Sequence, residues 1–250
     1  MSRKRLLQLG SLVFVFGLLW QAPARLIGSF LPGDDVNVSG LSGSLWNGSA
    51  SGISFGNTTL GYTSWSLNPL YLLIGSAKLQ LTTNWAGNEL TAGVRASLTG
   101  TISISDAEGF VDLRSLTPLL DLPISGQASL AMTELQISDA GPEAIVGTIR
   151  VRNLEFPDPI NRRVVPLGDY ELSFDSDSIS LEEPAEGLLV DTGGPLELAG
   201  SVILTPPNSY AIDARIKPRQ SAPPNLLQGL TMMAPVGPDG THSFQMSSSF

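Results

Sequence analysis

The chain contains no cysteine and only one histidine, His242. The absence of cysteine excludes disulfide bonds, thiolate nucleophiles, sulfur-ligated metals and lipoprotein acylation on a cysteine. A single histidine excludes any site that needs two imidazole groups. The G-x-S-x-G, P-loop and H-E-x-x-H patterns are also absent. The sequence therefore predicts a protein that is not an enzyme, with no catalytic, cofactor-binding or metal-binding residues.

Charged residues are few and unevenly distributed. They make up 15% of the 250 residues, against 42% hydrophobic residues, which is enough apolar material for a sizeable core. Beyond Arg25 the chain holds 10 basic and 23 acidic residues, a net charge of −13. Such a domain repels phosphate groups, so neither nucleic-acid binding nor electrostatic docking on an anionic membrane surface is expected.

The longest apolar run lies near the N-terminus, over residues 6–20, directly after Arg3, Lys4 and Arg5. A helix over residues 6–24 would be about 28 Å long, close to the thickness of a bilayer's hydrocarbon core. The basic residues before it predict a cytoplasmic N-terminus. We expect a cytoplasmic tail over 1–5, a transmembrane anchor over 6–27 and a periplasmic β-rich domain over 28–250, in a single-pass protein of the cell inner membrane. A cleaved signal peptide is the alternative, since Ala22-Pro23-Ala24 has the small residues of a cleavage site.

Beyond Val36 the chain consists of short apolar alternations separated by turn residues, in keeping with its 26 Gly and 18 Pro. Segments 79–83, 96–105 and 212–216 place apolar residues at every second position, which indicates antiparallel strands buried on one face. Short helices are expected over 69–74, 113–120 and 224–233. The predicted fold is mainly β, with one N-terminal transmembrane helix followed by a large antiparallel, curved or barrel-like sheet. A closed barrel, a sandwich and an open curved sheet stay alternatives, and only an open apolar trough could carry acyl chains.

The charged side chains that could form a site occur in short clusters at predicted turns. The acidic clusters are Asp34 and Asp35, Asp175 and Asp177, and Glu182, Glu183 and Glu186. None has the register of a known calcium loop, so we interpret them as solvated turns. The basic pairs are Arg150 and Arg152, and Arg162 and Arg163, which we interpret as balancing local charge. His242 is expected at the start of the last strand.

Two tryptophan-containing turns follow the apolar run. The first is Leu41-Ser42-Gly43-Ser44-Leu45-Trp46-Asn47-Gly48-Ser49-Ala50, and the second is Trp65-Ser66-Leu67-Asn68-Pro69-Leu70. In each, a large ring stands beside turn residues, which is typical of an aromatic side chain that fixes a hairpin or a strand-to-helix corner. A third turn segment, Gly194-Pro195-Leu196-Glu197-Leu198-Ala199-Gly200, lies downstream.

These segments, in this order, resemble the signature of the type II secretion system protein N family, an L-x-G-x-x-W-x-G-x-A turn followed by a W-x-L-x-P-L corner. The resemblance covers nearly the whole chain. It implies an accessory inner-membrane component of the apparatus that exports folded proteins across the outer membrane of Gram-negative bacteria. It also implies other type II secretion components, either inner-membrane proteins or the secretin, as partners, and it transfers no catalytic residue. The family-motif residues, expected to determine the fold, are Gly43, Leu45, Trp46, Gly48, Trp65, Pro69, Gly194, Pro195 and Gly200.

The β-rich pattern is also similar to that of AsmA-type envelope proteins. This second similarity implies an alternative function, in which the curved sheet binds or transfers lipid. The additional partner would then be phospholipid.

Overall fold

The computed structural model describes residues 21–29, 36–55, 58–85, 87–117, 123–158 and 163–249, and these residues form two antiparallel sheets. A small sheet has the order β1-β4-β5, and a thirteen-stranded sheet contains the other strands. The strands are β1 (Val36–Ser39), β2 (Ser42–Gly43), β3 (Asn47–Ala50), β4 (Gly52–Phe55), β5 (Thr58–Leu60), β6 (Thr63–Asn68), β7 (Ser76–Trp85), β8 (Asn88–Ser97), β9 (Ile102–Asp112), β10 (Ser125–Ser138), β11 (Gly141–Asp158), β12 (Arg163–Ser176), β13 (Ala185–Gly193), β14 (Leu196–Thr205), β15 (Ser209–Pro218) and β16 (His242–Ser249).

The large sheet is a meander, because from β6 to β16 each strand pairs with the next strand along the chain. Tight turns make this possible. Between β10 and β11, Ser138 pairs with Gly141 across only two residues, and Gly141 adopts a φ of 108°, a conformation that favours glycine. The sheet is open, with β2 at one end and β16 at the other. The expectation of a mainly β, antiparallel fold is confirmed, and of its alternatives the structure has the open sheet.

The expected transmembrane helix is not found, and this part of the fold prediction is wrong. Within the described ranges, no helix is long and apolar enough to span a membrane. Residues 1–20, which include the predicted tail and most of the predicted anchor, lie outside those ranges. Residues 21–27, the end of the predicted anchor over 6–27, are described, and their backbone contacts the β2–β3 turn instead of forming an α-helix.

The backbone at the end of that segment bonds to the edge of the large sheet. Pro23 forms a β-bridge with Ser44, and the Leu45 N–H donates to the Ala22 carbonyl at 2.8 Å. A short 3-10 helix, Ala24–Ser29, follows. Ala22 and Ala24 are buried. Hydropathy alone predicted one apolar helix here, but Pro23 lacks the N–H that a helix interior needs, and sheet contacts fix the conformation.

Buried side chains form two clusters on the large sheet. One lies across its middle strands and is built from Ala107, Met132, Ile145, Phe174, Ile179 and Ala185. The second joins Val165 and Leu196 to Leu226 and Leu230 of α1, the α-helix Pro224–Met233. Pro224 occupies the first turn of α1, and the helix ends where the Ala234 N–H donates to the Leu230 carbonyl. The helix expected over 224–233 is thus confirmed.

The other two expected helices are shorter or tighter than an α-helix. Pro69–Ile74 is a 3-10 helix, whose N-terminus is capped by the Asn68 side chain accepting from the Leu70 N–H. Leu113–Leu116 is a 3-10 turn, and residues 118–120 of the expected helix over 113–120 lie outside the described ranges.

Candidate functional site

A cavity of about 870 Å³, here called the α1 groove, lies between one face of the large sheet and α1. Apart from Tyr170, Asn225 and Gly229, all of its lining residues are large and apolar. The lining residues are Leu113, Ile124, Val151, Leu154, Phe156, Val165, Leu167, Tyr170, Leu189, Leu196, Leu198, Ile216, Asn225, Leu226, Gly229, Leu230, Met233 and Phe244.

Two sequence periodicities build the two walls of the α1 groove. On the strands, side chains of one face line the groove, as Leu196 and Leu198 do on β14, with Ile216 directly opposite Leu198. On α1, Leu226, Leu230 and Met233 follow the spacing of one helical face. Leu226 and Leu230 are buried, whereas Met233 is 75% exposed. The helix therefore covers the groove at Leu226 and Leu230, and the lining is open to solvent at Met233, at the C-terminal end of α1.

A salt bridge between Asp191 and Arg219, here called the latch, holds the strand ends beside the groove. Arg219 Nη2 lies 2.6 Å from Asp191 Oδ2, and Arg219 Nη1 donates to the carbonyls of Gly194 and Leu196 at 3.0 and 2.8 Å. Asp191 Oδ1 accepts from the Leu198 N–H at 2.8 Å. The latch joins the β13–β14 turn to the chain segment that leads into α1, so it fixes where the helix begins.

Tyr170 supplies a hydroxyl in the wall of the α1 groove. It donates to the Leu167 carbonyl at 2.6 Å. Burial and, to a smaller extent, the nearby negative charge of Asp191 raise the pKa of Tyr170 to about 12, while Arg219 opposes the shift. The phenol therefore stays protonated at neutral pH, and its proton is already used in a hydrogen bond within the protein.

His242 ties the last strand to the end of α1. Its ring is buried, with 3% of its surface exposed, and Nδ1–H donates to the Ala234 carbonyl at 2.8 Å. Strand β16 begins at this residue, as the sequence predicted. Because Ala234 follows directly after α1, the histidine restrains the helix end nearest the open part of the groove.

Comparison with known proteins identifies the family that the sequence motifs resemble. Residues 34–245 match a family model described as "Type II secretion system (T2SS), protein N". The chain belongs to the type II secretion system protein N family. It is similar to the type II secretion system protein N of Aeromonas hydrophila, with 24% identity over 98% of both chains. It is also similar to the protein of that name from Klebsiella pneumoniae, with 26% identity over 84% of this chain and 82% of the relative. No solved structure gives a significant match.

The motif residues near the N-terminus meet at the β2–β3–β6 end of the large sheet. Gly43 pairs with Gly48, and Gly48 lies opposite Trp65 on β6. The Trp65 Nε1–H donates to the Leu45 carbonyl at 3.1 Å, and the Trp46 carbonyl accepts from the Leu67 N–H at 2.6 Å. Pro69, the last member of this group, starts the 3-10 helix after β6.

Two of the three downstream motif residues, Gly194 and Pro195, contact the latch instead. The Gly194 carbonyl accepts from Arg219 Nη1, and the Pro195 carbonyl accepts from the Arg219 N–H at 2.8 Å. Gly200 lies opposite Ala214, and a Cβ added to it would be 2.8 Å from the Ala214 Cα. The two groups of motif residues thus occupy different parts of the sheet. That all nine determine the fold in this family stays a prediction.

The charged clusters do not assemble into one site. Across the described ranges, no group of three histidine or acidic side chains is placed to hold a metal ion. Arg150 instead pairs with Glu171 across β11 and β12 at 2.6 Å. Asp34, Asp35 and Arg162 lie outside those ranges.

Sequence reasoning missed both the α1 groove and its latch. The alternation in 196–198 was visible, but the strand pattern does not say which element covers that face. Asp191 and Arg219 are 28 residues apart, and no local pattern links them.

Proposed function

We propose that the protein is an accessory component of the type II secretion apparatus, located in the bacterial envelope with its β-rich domain on the periplasmic side. Membership of the type II secretion system protein N family is the observation that carries this function. The family is one of accessory components and is not known as a family of enzymes. Its partners would be other components of the apparatus, either inner-membrane proteins or the secretin.

The outer edge of β16 is the contact surface that we favour. On its inner side β16 pairs with β15 along its whole length, from His242 to Ser249. On its outer side, within the described ranges, the only bridge is from Val236 to His242 at the very start of the strand. Residues 245–249 are all exposed. An unpaired strand edge can accept a strand from another protein through backbone hydrogen bonds.

The composition of β16 supports this role. Edge strands are normally protected from pairing by Lys, Pro or inward-pointing charge. The strand HSFQMSSS contains no Lys, Arg, Asp, Glu or Pro. At the opposite end of the sheet, β2 has only two residues, Ser42 and Gly43, and offers a much shorter edge. Strand addition is therefore better supported at β16.

The test is complementation of an in-frame deletion of the gene, comparing a secreted substrate in the periplasm and in the medium. We expect the deletion to trap substrate in the periplasm and the wild-type gene to release it. Ser247→Lys with Ser249→Lys adds charge to the free edge and should fail to restore secretion. Gln127→Lys adds the same kind of charge to an exposed position on β10, which is paired on both sides, and should restore it.

The outcomes separate the role from the contact surface. Normal secretion by the deletion strain would contradict a role in export. Full secretion by the edge variant, with the variant protein at wild-type abundance, would contradict the β16 contact while leaving the role in export intact.

A further inference from the structure

The α1 groove is a large, open concavity with almost entirely apolar walls. This groove has a volume of about 870 Å³, within the range of about 300–1,000 Å³ that is typical of ligand sites. Leaving so much apolar wall against water is unfavourable. The geometry therefore indicates a site for an apolar ligand.

The groove is long in the direction that crosses the strands. Its sheet wall extends from Val151 on β11 to Phe244 on β16. Strand β16 is the fifth strand beyond β11 in the sheet. At about 4.8 Å between neighbouring strands, the two strands are about 24 Å apart. One leaflet's share of a bilayer's hydrocarbon core is about 15 Å, which approximates the reach of one acyl chain. An extended acyl chain would therefore fit along the groove.

The Tyr170 hydroxyl and the Arg219 guanidinium beside the groove are already bonded within the protein, and the remaining polar side chain of the lining, Asn225, is exposed to solvent. The Tyr170 hydroxyl donates to Leu167, and the Arg219 guanidinium contacts Asp191 and the backbone carbonyls. A peptide backbone placed in the groove would find few partners for its own N–H and C=O groups, and leaving them unpaired is costly. A hydrocarbon chain carries no such groups, so it suits this wall better than a peptide.

The net charge of the domain restricts which lipids it can bind. The chain beyond Arg25 carries a net charge of −13, which repels fatty-acid carboxylates and anionic headgroups. The exposed Met232 and Met233 at the open end of α1 give a lip where a headgroup can stay in solvent. We propose that the α1 groove binds one acyl chain of a zwitterionic phospholipid, with the headgroup outside the groove beside the end of α1.

Gly229 allows this site to be blocked without disturbing the fold. It lies on α1 and lines the groove, and a Cβ built on it meets no atom within 4 Å. Gly229→Phe places an aromatic ring where the acyl chain would lie, and it replaces a residue that is unfavourable inside a helix. Gly229→Ala adds only a methyl group to the same position. Leu188→Phe enlarges an exposed apolar side chain on the opposite face of β13 and is the matched control for added bulk.

The experiment uses the full chain and a phosphatidylethanolamine that carries a nitroxide near the methyl end of one acyl chain. Protein is incubated with vesicles containing this lipid and separated from them by flotation, and the bound label is measured by electron paramagnetic resonance. We expect a motionally restricted label on the wild-type protein, on Gly229→Ala and on Leu188→Phe. Gly229→Phe should retain at least about tenfold less label, and its thermal melting should show that it is folded.

Three outcomes would overturn the proposal. Either no label on the wild-type protein or equal label on Gly229→Phe would show that the groove holds no acyl chain. Preferential binding of a nitroxide-labelled fatty acid or phosphatidylglycerol would contradict the zwitterionic class. The β16 edge variants leave the groove unchanged, so secretion and lipid binding are tested separately.

Discussion

Replacing Gly48 by alanine tests how the N-terminal motif fixes its end of the sheet. Gly48 lies opposite Trp65, and an added Cβ would be 2.4 Å from Trp65 Cζ2 and 2.7 Å from the Ser44 carbonyl oxygen. Both distances are shorter than real Cβ contacts, so the ring must move. Movement of the ring breaks the 3.1 Å hydrogen bond from Trp65 Nε1–H to the Leu45 carbonyl.

The magnitude follows from two contributions to the free energy of unfolding. Overpacking a well-packed site costs about 1–3 kcal/mol, and losing a hydrogen bond costs about 0.5–1.5 kcal/mol. We therefore expect Gly48→Ala to destabilise the fold by about 2–4 kcal/mol. A chain of this size loses about 2–4 °C in unfolding midpoint for each kcal/mol. The central values, about 3 kcal/mol and about 3 °C per kcal/mol, predict that the midpoint of thermal unfolding falls by about 9 °C.

The assay is urea and thermal unfolding of the purified protein, with Trp65 hydrogen exchange as a local measure. Gly229→Ala is the matched control, because the same added methyl group meets no atom there and should leave stability unchanged or raised by up to about 1 kcal/mol. In a Trp65→Leu background the cost of Gly48→Ala should fall by about 1 kcal/mol, since the clashing ring is gone. A cost below about 0.5 kcal/mol, or an equal cost in both backgrounds, would refute the reasoning.

Three further predictions concern the surroundings of the α1 groove. Arg219→Met should destabilise the protein by about 2 kcal/mol in urea unfolding, because it leaves the Asp191 carboxylate, which is only 10% exposed, without its partner. The double variant Arg219→Met with Asp191→Asn should recover part of this loss. An unchanged free energy of unfolding in Arg219→Met would contradict a structural role for the latch. The pKa of Tyr170 is about 12 in the folded protein, whereas a tyrosine in the unfolded chain ionises near pH 10. The neutral Tyr170 side chain therefore stabilises the fold fully below pH 10, and this stabilisation is lost between pH 10 and 12. Tyr170→Phe should therefore lose less stability across that range than the wild type, and parallel pH profiles would disprove the assignment. His242→Ala removes the bond to the Ala234 carbonyl and should cost about 1–2 kcal/mol, with faster hydrogen exchange in α1; unchanged exchange there would show that the bond does not restrain the helix.

Local patterns in the sequence were sufficient to predict much of the secondary structure. Alternation such as that in 212–216 reports one buried face, and turn residues between strands favour pairing of neighbours, so an antiparallel meander follows. The bounds of α1 were also predictable, because proline at Pro223 and Pro224 starts the helix and Pro235 follows its end. The motif order around Trp46 and Trp65 pointed to the family that the comparisons show.

Only the tertiary structure decided how these elements are used. The alternation within a strand determines which side chains share a face. Whether the sheet is open or closed depends on whether its outermost strands, β2 and β16, pair with each other, and these strands are nearly 200 residues apart in the chain. Hydropathy likewise predicted a membrane helix through residue 27, whereas the bridge from Pro23 to Ser44 is a contact between separate segments. The same holds for the latch and for the placement of α1 over the sheet, because contacts between distant residues leave no period in the sequence. Composition and periodicity therefore determined the elements, and long-range pairing created the groove and the free edge.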